Sequence, residues 1–67
     1  MTPYRLIRTL NERYGTSYPT QMGYNYVRNN LVPAVRHEDG SWFIEKDDAE
    51  LWFAKFADKN GLELISN

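Results

Sequence analysis

In the stretch Gln21-Met22-Gly23-Tyr24-Asn25-Tyr26-Val27-Arg28-Asn29-Asn30-Leu31-Val32-Pro33-Ala34, helical periodicity stops part-way, and that break sets the architecture. Met22, Gly23, Tyr26 and Val27 share one side of a helix, whereas Gln21, Tyr24, Asn25 and Arg28 recur at i, i+3, i+4 and i+7 on another. The first set reads as an inward face, and the second is polar and aromatic. Turn formers and capping residues crowd Gly15-Thr16-Ser17-Tyr18-Pro19-Thr20, so the helix is expected to begin near Pro19 or Thr20 and to run to Asn29 or Asn30. Leu31-Val32-Pro33-Ala34 is apolar but too short for a further helix, and Pro33 blocks continuation, so a turn into a strand follows.

Downstream, Ala34-Val35-Arg36-His37 and Ser41-Trp42-Phe43-Ile44 flank Glu38-Asp39-Gly40. Asp-Gly between two strand-like runs is a strong local signal for a β-hairpin. Lys46 or Asp47 then opens a helix in which Ala49, Trp52, Phe53 and Phe56 repeat at i, i+3, i+4 and i+7, with Asp48, Glu50, Lys55 and Asp58 outside and Gly61 as its stop. Upstream, Thr2-Pro3 is a helix opening, with a capping hydroxyl and a proline where no N–H is missed. That first helix carries Leu6, Ile7, Leu10 and Tyr14 as a stripe and ends at Gly15. The predicted order is helix, helix, hairpin, helix: a mainly α chain with a small β-hairpin, in the α+β class. Residues 1–67 form one domain, with a core over 3–58 and a tail over 59–67 that pairs with the hairpin, packs on the third helix or frays.

A chain of 67 residues has room for a single core. Without cysteine and with one histidine, neither disulfides nor a zinc cluster can supplement it. Packing must suffice, and a 42% hydrophobic share with 15% aromatics suits that. Tyr26, Trp42, Trp52, Phe53 and Phe56 are assigned to the core. No signal-peptide layout and no spanning run is present, so a cytoplasmic protein is expected, with no membrane partner. The net charge of −1 hides an uneven distribution. Residues 1–36 hold five arginines against Glu12 alone, a net of +4, whereas residues 37–67 hold three lysines against eight acids, a net of −5. Arginine-only positive charge in one half points to a polyanion-facing side, because a guanidinium grips phosphate or guanine with two donors. Catalysis is not expected: Asp47 and Asp48 are adjacent on a helix and do not converge, and no nucleophile is paired with a base.

The run from Gln21 to Ala34, followed by a short hairpin containing Trp42-Phe43-Ile44 and an aromatic helix opened by Asp47, resembles the winged helix-turn-helix of the MerR-like and phage excisionase group. Leu31-Val32-Pro33 matches that group's turn, and Asn30 stands where glycine is usual, a substitution compatible with left-handed backbone. The resemblance covers about residues 3–58. The segment between the first two helices is longer than the group's compact turn.

The resemblance implies sequence-specific binding of double-stranded DNA by a non-catalytic, cofactor-free protein of phage or mobile-element type. The second helix would enter the major groove and the hairpin would act as a wing. In that reading Gln21 and Asn25 pair with adenine, Arg28 with guanine or phosphate, and Tyr24 with phosphate or a thymine methyl. Thr20, Asn29 and the amides at the helix start serve phosphates. Arg36, His37 and Ser41 form the wing and its flank, and Arg5, Arg8 and Arg13 are candidate phosphate contacts. The protein would serve as an excisionase-type recombination directionality factor, with an integrase or further copies of itself as partners, or as a small regulator of transcription, nucleoid-associated when bound. The acidic wing tip, Glu38 and Asp39, faces away from phosphate or contacts protein. The alternative is a protein-interaction module that keeps the fold and binds a protein partner through its acidic C-terminal half.

Overall fold

The hydroxyl of Thr2 accepts the Arg5 amide at 3.2 Å, and from that cap helix α1 runs over Pro3–Tyr14. The computed structural model describes residues 1–65, and over these the order is α1, α2 (Gln21–Arg28), β1 (Val35–Arg36), β2 (Trp42–Phe43) and α3 (Lys46–Asn60). It is a mainly α chain with three helices and one two-stranded antiparallel hairpin, registered as Val35 opposite Phe43 and Arg36 opposite Trp42. Both strands are shorter than the four-residue runs expected from sequence. The hairpin turn takes over at His37, whose carbonyl accepts the Gly40 amide at 2.9 Å, with Gly40 at φ +88°.

Helices α1 and α3 stop directly before the glycines the sequence nominates, whereas α2 ends at Arg28, a residue or two short of the expected Asn29 or Asn30. Gly15, Asn30 and Gly61 all adopt left-handed backbone, with φ of 64°, 58° and 65°. Asn30 does so without being glycine. The Asn30 amide donates to Val27 O at 3.1 Å and the Leu31 amide to Tyr26 O at 2.8 Å, the paired bonds of a Schellman motif.

Leu6, Ile7 and Leu10 of α1 are completely buried and meet Val27, Val32 and Ile44, while α3 contributes Ala49, Trp52, Phe53 and Phe56. Tyr26 packs edge-on to Trp52 with ring centroids 5.6 Å apart, and Trp52 stacks on Phe56 at 4.9 Å. Trp42 is half-buried against the same cluster. The α1–α2 crossing is close. A Cβ on Gly23 would sit 2.2 Å from the Pro3 carbonyl oxygen, so only a residue without a side chain lets the two helices approach this far.

Three tertiary ties have no signature in the periodicity. Met1 and Ile44 exchange backbone bonds, the Ile44 amide to Met1 O at 2.7 Å and the Met1 nitrogen to Ile44 O at 2.5 Å, which ties the start of the chain to the residue after β2. The Asn11 side chain organises the connection between α1 and α2: Nδ2 donates to Tyr18 O at 2.9 Å, and Oδ1 accepts the Tyr18 amide at 3.0 Å and the Thr16 hydroxyl at 2.7 Å. Arg13 Nη1 donates to both carboxylate oxygens of Glu50, at 2.6 and 2.7 Å, with its guanidinium 5.0 Å above the Phe53 ring.

Asn11→Ala therefore leaves both polar groups of the partly buried Tyr18 backbone without their partner. A loss of about 2 kcal/mol is expected, read as a melting midpoint lowered by roughly 10 °C.

The described part of the tail first packs on α3 and then leaves it for α1. Leu62 is half-buried against the core, and its amide donates to Ala57 O at 2.8 Å, closing α3. The chain then crosses to α1, where the Ile65 amide donates to Arg13 O at 2.8 Å and the Ile65 side chain lies against Gly15. The end of the expected tail, Ser66 and Asn67, lies outside the described residues. Among the described residues no helix is long and apolar enough to cross a membrane.

Candidate nucleic-acid interface

Helix α2 divides as its sequence predicts. Gly23 and Val27 are buried and Met22 and Tyr26 half-buried, whereas Gln21, Tyr24, Asn25 and Arg28 are all exposed. The division follows from packing: Gly23 sits on the first turn of α1 and Tyr26 on α3, and the arc of α2 carrying Gln21, Tyr24, Asn25 and Arg28 is left exposed. Among the described residues none of those four exposed side chains enters a hydrogen bond or ion pair with the protein. An amide donor and acceptor at Gln21 and Asn25, a phenol at Tyr24 and a guanidinium at Arg28 thus line one helix face with their polar atoms unengaged. Side chains of these types can match base edges in a major groove.

Other expected site residues are placed differently. Asn29 Nδ2 donates to Asn25 O at 2.8 Å, so that amide group caps its own helix. Thr20 already has helical backbone, with φ −63° and ψ −25°, and its hydroxyl makes no capping bond. The Met22 and Gly23 amides donate to Pro19 O and Thr20 O at 3.0 and 3.1 Å, so these two N–H groups at the helix start are engaged within the chain.

Arg5 and Arg8 are exposed on α1, away from its buried stripe. Arg8 lies 3.5 Å from Glu12 in an exposed i,i+4 pair of small energetic weight. Arg13 stands apart from both, because its contacts with Glu50 and Phe53 turn its donors toward α3. Its Nη1 holds α1 to α3, so of the three arginines it has the least of its guanidinium left for a phosphate.

On the hairpin, Arg36 and Trp42 are cross-strand partners, with the guanidinium 5.4 Å from the indole centroid. The other face carries the exposed pair Val35 and Phe43, with the His37 ring 6.0 Å from Phe43. Ser41 is turned into the hairpin: its hydroxyl and its amide both donate to Asp39 Oδ1, at 2.6 and 2.9 Å. Those two bonds favour the ionised carboxylate and hold Asp39 below the usual carboxylate pKa, so the tip stays negative.

Any stability linked to Asp39 is present above the unfolded pKa and is lost as pH falls through the lowered folded value. In an NMR titration Asp39 is expected to titrate below its ordinary range, and Ser41→Ala to raise it. An unchanged Asp39 titration in that variant would contradict the assignment.

Among the described residues no three His, Asp or Glu side chains are grouped so as to hold a metal ion. Periodicity did not reveal Asn11, the Arg13–Glu50 pair or the Met1–Ile44 bridge, since each joins residues through geometry that only the packed helices create. Comparison with family models, with curated proteins and with solved structures finds no match to the chain.

Proposed function

We propose that this chain is a small, non-catalytic winged helix-turn-helix protein that binds double-stranded DNA sequence-specifically, with α2 in the major groove and the β1–β2 hairpin as the wing. One observation carries the reading: the exposed α2 face of Gln21, Tyr24, Asn25 and Arg28 has polar groups suited to base edges and no partner for them among the described residues. Further support comes from the order of elements and from the Asn30-Leu31-Val32-Pro33 turn, whose left-handed residue and Schellman bonds lead from α2 to the hairpin.

In this reading Gln21 and Asn25 pair with adenine edges, Arg28 takes guanine or a phosphate, and Tyr24 meets phosphate or a thymine methyl. Arg5, Arg8 and Arg36 supply phosphate contacts, and Arg36 approaches with its guanidinium already held over Trp42. The fixed negative charge of Asp39 keeps the wing tip off the backbone, so the wing approaches DNA along its side. A single module of this kind buries about 600–1,000 Å² against DNA. Useful affinity therefore comes from several copies on adjacent sites or from a DNA-bound protein partner. Both fit the excisionase-type or small-regulator role, exercised at the nucleoid.

The test is a titration with mixed-sequence and defined duplexes across a salt series. Three to four arginine–phosphate contacts predict a slope of log affinity against log salt near −3, with some duplexes preferred over others. Absence of binding at low salt would overturn the reading.

A further inference from the structure

An apolar groove runs between the turn after α2 and the exposed side of α3. Its wider part encloses about 300 Å³ among Tyr26, Leu31, Trp52 and Phe56, with Lys55 and Lys59 beside it. An extension of about 110 Å³ continues past Leu31 and Trp52 to Leu51, where Asp48 borders it. Trp52 and Phe56 are each only 8% exposed, whereas Leu31 is 60% and Leu51 56% exposed. Two leucines thus stand at the mouth of an aromatic-lined groove. The Schellman turn needs only the backbone N–H of Leu31, which leaves its side chain available for another role.

Charge distinguishes the occupants this groove would accept. Residues 37–67 are strongly acidic, with three lysines among eight carboxylates, yet two of the three lysines border this groove. They lie four residues apart on α3, so both ammonium groups are on one side of the helix, and neither is in an ion pair among the described residues. Among the described residues no carboxylate lines the wider part.

We propose that the groove docks an acidic amphipathic segment of a protein partner. One large apolar side chain of that segment seats on Trp52 and Phe56 between Tyr26 and Leu31, and its neighbouring carboxylates pair with Lys55 and Lys59. The volume is at the low end of the range for binding pockets and has room for one or two side chains. The site does not depend on DNA binding. At about 100° per residue, Tyr26 leaves α2 roughly 160° around the axis from Arg28, so DNA and partner occupy different sides of that helix.

The experiment uses the whole chain and fluorescein-labelled peptides of about three helical turns. One panel carries a single Leu, Met, Phe or Trp anchor flanked by Glu, and a matched panel carries the same anchors flanked by Lys. Anisotropy is expected to show saturable binding of an acidic peptide. Amide shifts should centre on Leu31, Lys55 and Lys59, and affinity should fall about tenfold or more in K55E/K59E. Leu31→Ser weakens binding as well. All three positions are exposed, so circular dichroism should show an unchanged fold. Equal binding of both panels, shifts elsewhere or no saturable binding would overturn the proposal. So would self-association abolished by K55E/K59E, which would assign the groove to a second copy.

Discussion

Gly23→Ala is expected to remove a large part of the stability of this fold. The added Cβ would lie 2.2 Å from the Pro3 carbonyl oxygen, 2.8 Å from the Pro3 carbonyl carbon and 3.0 Å from Ile7 Cγ1. Two of these atoms are backbone, so no rotamer change relieves the clash, and α1 must move away from α2. That movement loosens Leu6 and Ile7 in the core and pulls on the Met1–Ile44 bridge. Helix propensity acts the other way, since alanine inside a helix is favoured over glycine by about 1 kcal/mol. Overpacking against a rigid neighbour costs about 1–3 kcal/mol and sometimes more, and a contact at 2.2 Å belongs at or beyond the upper end. The clash therefore wins, with a net loss of about 2 kcal/mol or more. In a domain of this length the total is roughly 3–10 kcal/mol. Urea or thermal unfolding followed by circular dichroism should show a midpoint lowered by about 10–20 °C. An unchanged or raised midpoint would contradict the close crossing.

The second large effect is on binding and should leave stability almost untouched. Asn25→Ala combined with Arg28→Ala removes an amide and a guanidinium that are exposed and without protein partners among the described residues. The backbone carbonyl of residue 25, which accepts from Asn29 at 2.8 Å and 3.1 Å, is retained in the variant. Removing a cation from the last turn of α2 costs only a few tenths of a kcal/mol, so the unfolding midpoint should barely change. If these side chains read base edges, each contributes about 1–3 kcal/mol of discrimination, and the double variant should bind a preferred duplex about a hundredfold more weakly. Wild-type affinity in the double variant would sink the assignment of α2 as the recognition helix. Arg13→Ala is the matched control. It loosens α1 from α3 through Glu50 and Phe53, and DNA affinity should persist at temperatures where that variant is folded.

Local chemistry made much of this fold legible. The caps at Thr2, Gly15 and Gly61, the Asp-Gly hairpin and the two faces of α2 depend on neighbours within a few residues, and such neighbours are visible along the chain. The same holds for the exposed α2 face, because a polar stripe opposite an apolar one needs only helical geometry to be placed. Charge type alone does not tell what surrounds a side chain. Arg5, Arg8 and Arg13 look alike in sequence, yet only Arg13 meets a carboxylate on a distant helix. Asn29 and Ser41 carry groups suited to phosphate, but the nearest acceptors are an α2 carbonyl and Asp39, and the side chains turn to those.

What the sequence alone determined is the set and order of elements, the helix ends to within a residue or two, and the core faces of the three helices, because periodicity, capping and turn chemistry act over a few residues. Only the tertiary structure decided how those elements meet. The Gly23 crossing, the crossing of the tail to α1 and the lysine-bordered groove beside Leu31 join residues far apart in the chain or depend on how two helices approach, and the Asn11 clamp on Tyr18 depends on the path of the connection between α1 and α2. Such contacts arise from side-chain volume and direction in three dimensions, which the spacing of residues along one dimension does not encode.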